Sequence, residues 1–101
     1  MSAKLFIGPM SKNIVDVVAE VCNEKNTNIG LIPSRRQVEY SGGYVEGWTT
    51  SQFANYARAK SPLVLLQRDH GGPGQGISTT DDGRNSLIVD AALDFDLIHI
   101  D

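Results

Sequence analysis

Leu63-Val64-Leu65-Leu66-Gln67-Arg68-Asp69-His70-Gly71-Gly72-Pro73-Gly74 decides how the chain is read. Four aliphatic residues between Pro62 and a polar cluster predict a short strand covered on both faces, the pattern of a parallel sheet. Parallel strands carry their chemistry at the C-terminal end, where the chain leaves the sheet. Arg68, Asp69 and His70 stand at that point, and a glycine-rich turn follows. An adjacent carboxylate and imidazole there offer a proton-transfer group beside a metal ligand. The plainer alternative is that Asp69 braces the turn and His70 lies on a polar rim.

Upstream, the same pattern repeats. Lys4-Leu5-Phe6-Ile7 predicts a first strand, stopped by Gly8-Pro9. Ser11 or Asn13 caps a helix whose Ile14, Val15, Val17, Val18, Val21 and Cys22 recur at helical spacing. Cys22 on that stripe reads as a small buried hydrophobe. Asn26-Thr27-Asn28 breaks the helix, and Ile29-Gly30-Leu31-Ile32 predicts the second strand. The segment from Pro33 to Trp48 exceeds the usual connection of about two to six residues, as lids and binding loops do. In it, Gly42-Gly43 permits a turn or a close approach to a ligand, and Trp48 anchors the loop or serves an interface. Thr49 or Thr50 caps a second helix carrying Phe53, Tyr56, Ala57 and Lys60, and Ser61-Pro62 ends it.

Downstream, a third helix starts near Asp82 and carries Leu87, Ile88, Ala91 and Ala92. Phe95 to Asp101 predicts a fourth strand. The order β-α-β-α-β-α-β, with right-handed crossovers, places the helices on one face of a sheet in sequential order. The α/β reading that fits best is the N-terminal half of a (β/α)8 TIM barrel, with residues 1–101 as the first part of one domain. A complete barrel takes about 250 residues, so a truncated chain is expected. A doubly wound, flavodoxin-like sheet is the rival arrangement.

Composition narrows the function. Nine Lys+Arg against twelve Asp+Glu, a formal charge of -3, give no electrostatic reason for a nucleic acid partner. No apolar run approaches the roughly 20 residues of a membrane span. One cysteine and no export signal suit a cytoplasmic protein. The Gly71–Gly74 turn lacks both the P-loop lysine and the dinucleotide fingerprint, so neither ATP nor NAD is supported.

In a barrel the strand ends converge on one rim. They bring Ser11; Ser34, Arg35, Arg36 and Gln37; Arg68, Asp69 and His70; and His99 with Asp101. The arginines match the oxygens of an anionic substrate bidentately. Alternatively, Arg68 pairs with Asp69 or Asp101, and one of Arg35 and Arg36 is merely solvated. His99 and Asp101 fall on one side of their strand, either in the site or in a structural polar layer. A metal centre needs about three protein ligands and an open position, and His70 and His99 are the histidines available.

Gln37-Val38 with Gly42-Gly43-Tyr44, then Asp69-His70 with Gly72-Pro73, then Ile98-His99-Ile100-Asp101, together resemble the tagatose-bisphosphate aldolase subunit family, in its accessory or non-catalytic branch. More distantly, Asp69-His70-Gly71 after a hydrophobic strand is similar to the motif of zinc-dependent class II bisphosphate aldolases. The resemblance implies Asp69 as general acid/base and His70 as a metal ligand, with the family's remaining histidine ligands on later strands. The strand-end reading adds His99 as a candidate metal ligand and Gln37, Arg35, Arg68 and Asp101 as candidate substrate-binding residues. The resemblance also implies Zn2+ in a complete barrel, a phosphorylated or otherwise anionic sugar as substrate, and a homo-oligomer or a partner aldolase subunit. The isolated 101 residues are expected to be inactive. A metal-dependent sugar epimerase and a stabilising subunit without chemistry remain open beside the aldolase.

Overall fold

The computed structural model describes residues 5–78 and 80–100. Four short parallel strands, β1 (Phe6–Ile7), β2 (Ile29–Leu31), β3 (Val64–Arg68) and β4 (Leu97–Ile98), alternate with α1 (Lys12–Lys25), α2 (Thr50–Lys60) and α3 (Arg84–Ala92). The sheet order is β1-β2-β3-β4. This is the α/β order expected, with every pair parallel and every connection a crossover, as in consecutive units of a (β/α) barrel. Lys4 and Asp101, expected in the outer strands, fall outside the described residues.

Local chemistry sets the element ends. The Ser11 hydroxyl accepts from the Ile14 N–H, so it, and not Asn13, caps α1. Asn26 ends that helix in the left-handed region at φ 49°. Thr49 and Gln52 form a reciprocal capping box at the start of α2, at 3.0 and 3.1 Å.

The alternation along β3 divides its side chains between two faces. Val64, Leu66 and Arg68 turn towards the helices, where Val15, Val18, Cys22, Leu31, Val38, Phe53 and Ala57 form the core. Leu65 and Gln67 occupy the opposite face. Gly30 lies on that face too, because a Cβ there would meet the Phe6 ring at 1.9 Å. β4 is prolonged by Asp96, whose carboxylate accepts from the Leu66 N–H at 2.8 Å.

Helix α3 differs from expectation in what it buries. Ser86 and Asp90 face inward, while Leu87 and Ile88 are exposed. The reason is Arg68, a long cation on the helix-facing side of β3 that requires an anion opposite it. Asp90 supplies one, and that pairing sets the helix's rotation against the apolar residues.

The long segment after β2 is folded on itself. Val45 N–H donates to Gln37 O at 3.1 Å, and Tyr44 N–H to Arg36 O at 3.0 Å. Gly43 is needed for this internal approach, since a Cβ would lie 2.1 Å from Gln37 O. Trp48 packs on Tyr56 and Phe53, with ring centroids at 5.2 and 6.0 Å, and so anchors the loop to α2. Among the described residues no helix is long and apolar enough to cross a membrane.

Candidate functional site at the C-terminal rim

β2, β3 and β4 run past their regular ends as a seam. Asp69 N–H donates to Pro33 O at 3.0 Å, His99 N–H to Arg68 O at 2.9 Å, and Gly71 N–H to His99 O at 2.7 Å. This seam brings together three residues singled out from the sequence. The Asp69 carboxylate lies 3.7 Å from His70 Nε2 through one oxygen and 3.7 Å from His99 Nδ1 through the other. These are ion-pair separations, longer than direct hydrogen bonds. The imidazole centroids stand 6.1 Å apart. All three side chains reach solvent, Asp69 at 36% of its surface and the histidines at 54% and 52%.

His70 holds φ 49°, a left-handed conformation uncommon outside glycine. The Gly71–His99 hydrogen bond explains why that turn is kept. Gly71 has no room for a side chain, because its Cβ would sit 2.7 Å from His99 O and 2.9 Å from Arg68 Cγ. The cluster can therefore move protons at a half-solvated carboxylate flanked by two imidazoles. Zinc is a different matter. Among the described residues no group of three or more His, Cys, Asp or Glu side chains is arranged to hold a metal ion. Two imidazoles do not meet the three-ligand minimum of a catalytic zinc site.

The other expected site residues have different partners. Arg68, expected at a substrate anion, is fully buried (0% exposed) and grips Asp90 bidentately, at 2.8 Å through Nε and 2.8 Å through Nη2. Its Nη1 donates to Ser34 O at 2.9 Å and to Val38 O. Thr50 Oγ1 and the face of Phe95 complete its surroundings. All three guanidinium nitrogens have partners inside the protein.

Arg35 also has partners inside the protein. Its Nε donates to Glu39 at 2.7 Å, and its Nη1 reaches Gly72 O at 2.8 Å and Asp81 at 3.0 Å. Burial opposes its charge, yet the hydrogen bonds to Asp81 and Glu39 hold the guanidinium above its ordinary pKa. The same bond keeps the Asp81 carboxyl below the usual carboxylate range. Arg35 thus latches the loop after β2 to the loop after β3. Arg36, its neighbour, is exposed, and its Nε donates to Gly76 O at 3.3 Å. Gln37 braces the turn after β2, accepting from Ser34 N–H at 2.9 Å and donating to Met10 Sδ at 3.1 Å. Asp101 lies outside the described residues.

Sequence reasoning missed Asp90 and Asp81. Asp90 stands four residues after Ser86, a polar stripe at helical spacing that signals a buried partner once Arg68 is placed on β3. Asp81 carries no comparable signal, because its position opposite Arg35 depends on how two loops fold.

A cleft of about 320 Å³ opens between those loops, lined by Arg35, Glu39, Tyr40, Ser41, Ile77, Ser78 and Asp81. It is separate from the Asp69 cluster, and its guanidinium is already neutralised. No protein-family model matches the chain, and no curated protein matches it either.

Proposed function

We propose that Asp69 is the proton-transfer residue of a class II aldolase-like site acting on a phosphorylated or otherwise anionic sugar. The observation that carries this reading is the half-exposed Asp69 carboxylate, 3.7 Å from an imidazole on each side, at the C-terminal ends of adjacent parallel strands. Catalysis in barrels of this architecture occurs at that end. A carboxylate there abstracts or returns a proton next to a carbonyl, the step shared by aldol cleavage and sugar epimerisation. Zn2+, when bound, would supply Lewis-acid polarisation of that carbonyl. In this reading His70 and His99 would be two of its ligands, and the other strands of a complete barrel would have to supply the rest.

A second reading is a stabilising subunit that performs no chemistry. The incomplete ligand set among the described residues favours it.

The test is zinc-dependent cleavage of ketose bisphosphates, and epimerisation of the same sugars, by the chain alone and with a class II aldolase added. The expected result is no turnover by the isolated 101 residues and, where these strands stand in a closed barrel, turnover that falls roughly 100- to 10,000-fold in Asp69→Asn and loses its zinc dependence in His70→Ala. Activation of the added aldolase that persists in Asp69→Asn would select the stabilising subunit. Turnover unchanged in Asp69→Asn would overturn the assignment of Asp69.

A further inference from the structure

We propose that the cleft between the loops after β2 and β3 binds a neutral polyhydroxyl ligand about the size of one sugar ring, at a place separate from the Asp69 cluster. The cleft belongs to the two inner strands of the sheet, so neither β1 nor β4 takes part in it. The inference does not depend on the reaction performed at the rim.

Size and walls come first. A volume of about 320 Å³ falls at the small end of small-molecule sites, which run from roughly 300 to 1,000 Å³. Tyr40 and Ile77 line the cleft while 42% and 78% exposed, so an aromatic ring and a branched aliphatic chain offer apolar surface to a ligand. Exposed apolar residues are ordinary when scattered singly, but these two border one cleft over a polar floor.

The floor is Arg35 and Asp81. Arg35 is 3% exposed. Its Nε and Nη1 are taken by Glu39, Gly72 O and Asp81, and its Nη2 has no hydrogen-bond partner among the described residues. Glu39 also accepts from the Tyr40 N–H at 3.0 Å, which ties the Tyr40 backbone to the guanidinium. The Asp81 carboxylate takes Arg35 Nη1 at 3.0 Å and the Gly83 N–H at 2.7 Å on Oδ1, which leaves Oδ2 to accept. Gly76 keeps this donor and acceptor uncovered, since a Cβ there would lie 3.1 Å from Nη2 and 3.3 Å from Oδ2. Gly76 does not hold the left-handed conformation that favours glycine. What its missing side chain provides is space over the two polar atoms.

Arg35, Tyr40 and Asp81 also border a hollow of about 30 Å³ at the start of α3. Ser86 lines it at 1% exposure, and its hydroxyl is the buried side-chain group left without a partner among the described residues. A hollow of that size has room for one hydroxyl or a water.

Charge decides the class of ligand. Arg35 stands between Glu39 and Asp81, two carboxylates against one guanidinium, while Asp82 and Arg84 beside the hollow offset one another. A phosphate or carboxylate group would meet net repulsion there. Nη2 beside Oδ2 suits a vicinal pair of hydroxyls instead, one accepting and the other donating, with the C–H face of the sugar ring resting on Tyr40.

The experiment is an amide NMR titration of the protein with D-glucose and with D-fructose, and separately with inorganic phosphate. It is run on the parent, Tyr40→Ala, Gly76→Ala and Asp69→Asn. The expected result is saturable shifts of the Gly76, Asp81 and Ser86 amides with at least one of the sugars, half-complete at roughly 1–10 mM. Binding should weaken about tenfold in Tyr40→Ala and in Gly76→Ala, whose methyl group takes the space over Nη2, and it should be unchanged in Asp69→Asn. Tyr40 is exposed enough that its truncation should leave the rest of the spectrum in place. Shifts absent at roughly 100 mM of both sugars, sugar binding indifferent to Tyr40→Ala, or saturation by phosphate and by neither sugar would overturn the proposal. A sugar response confined to Asp69, His70 and His99 and lost in Asp69→Asn would also overturn it, while supporting the site at the rim.

Discussion

Replacing Asp90 with asparagine tests the account of the buried Arg68. The pair is 0% and 1% exposed, and both of its short contacts measure 2.8 Å. Asparagine keeps the size of the side chain but removes the charge, and it turns one acceptor into a donor facing Nη2. The guanidinium cannot deprotonate, so it remains a buried cation without its counter-ion. Breaking such a pair from one side costs about 3–5 kcal/mol. The cost stands at the lower part of that range here, because Ser34 O and Val38 O still solvate Nη1.

A domain of this size has about 5–15 kcal/mol of stability in all, so the loss is a large share of it. With a urea slope near 1–2 kcal/mol/M, the midpoint should fall by roughly 1.5–3 M. Arg68→Met alone should cost a similar amount, since it strands the carboxylate and leaves two backbone carbonyls without a donor. The double variant Arg68→Met with Asp90→Leu should recover much of the loss, because neither charge then remains buried. Urea unfolding followed by circular dichroism, applied to the parent, Arg68→Met, Asp90→Leu and the double variant, reads all four corners of the cycle. A loss below about 1 kcal/mol in Asp90→Asn, or strictly additive losses in the double variant, would refute the reasoning.

Gly71→Ala should cost about 1–3 kcal/mol of thermal stability by pushing His99 O away, and it should shift the His99 ring resonances. An alanine variant with the parent's melting temperature and spectrum would show that the seam does not depend on that close approach. Tyr56 donates its hydroxyl to Asp16, and this bond above all pushes its phenol up to about 12. The folded state therefore favours the neutral phenol. Its contribution is present below the ordinary tyrosine value of about 10, and it is lost as pH rises through the folded value. Ultraviolet titration of the phenolate should show the elevated midpoint and its return towards ordinary in Asp16→Ala; an unchanged midpoint in that variant would remove Asp16 as the cause.

Much of this fold is legible without coordinates because its signals are local. Valines and leucines at helical spacing, Ser11 and Thr49 as caps, Ser61-Pro62 as a stop and the aliphatic run at 63–66 each act over a few residues. Their order alone sets the parallel crossovers. The placement of Asp69 and His70 at a strand end follows for the same reason.

Tertiary structure decided which groups meet. That Arg68 turns inward to Asp90, that Arg35 latches onto Asp81, and that His99 comes to Asp69 all depend on register and on helix rotation. Those are set by the whole core and are not encoded in either partner's neighbourhood. An arginine at a strand end reads the same in sequence whether it faces a substrate or a helix. The face on which its side chain falls determines its role, and only the packed sheet fixes that face.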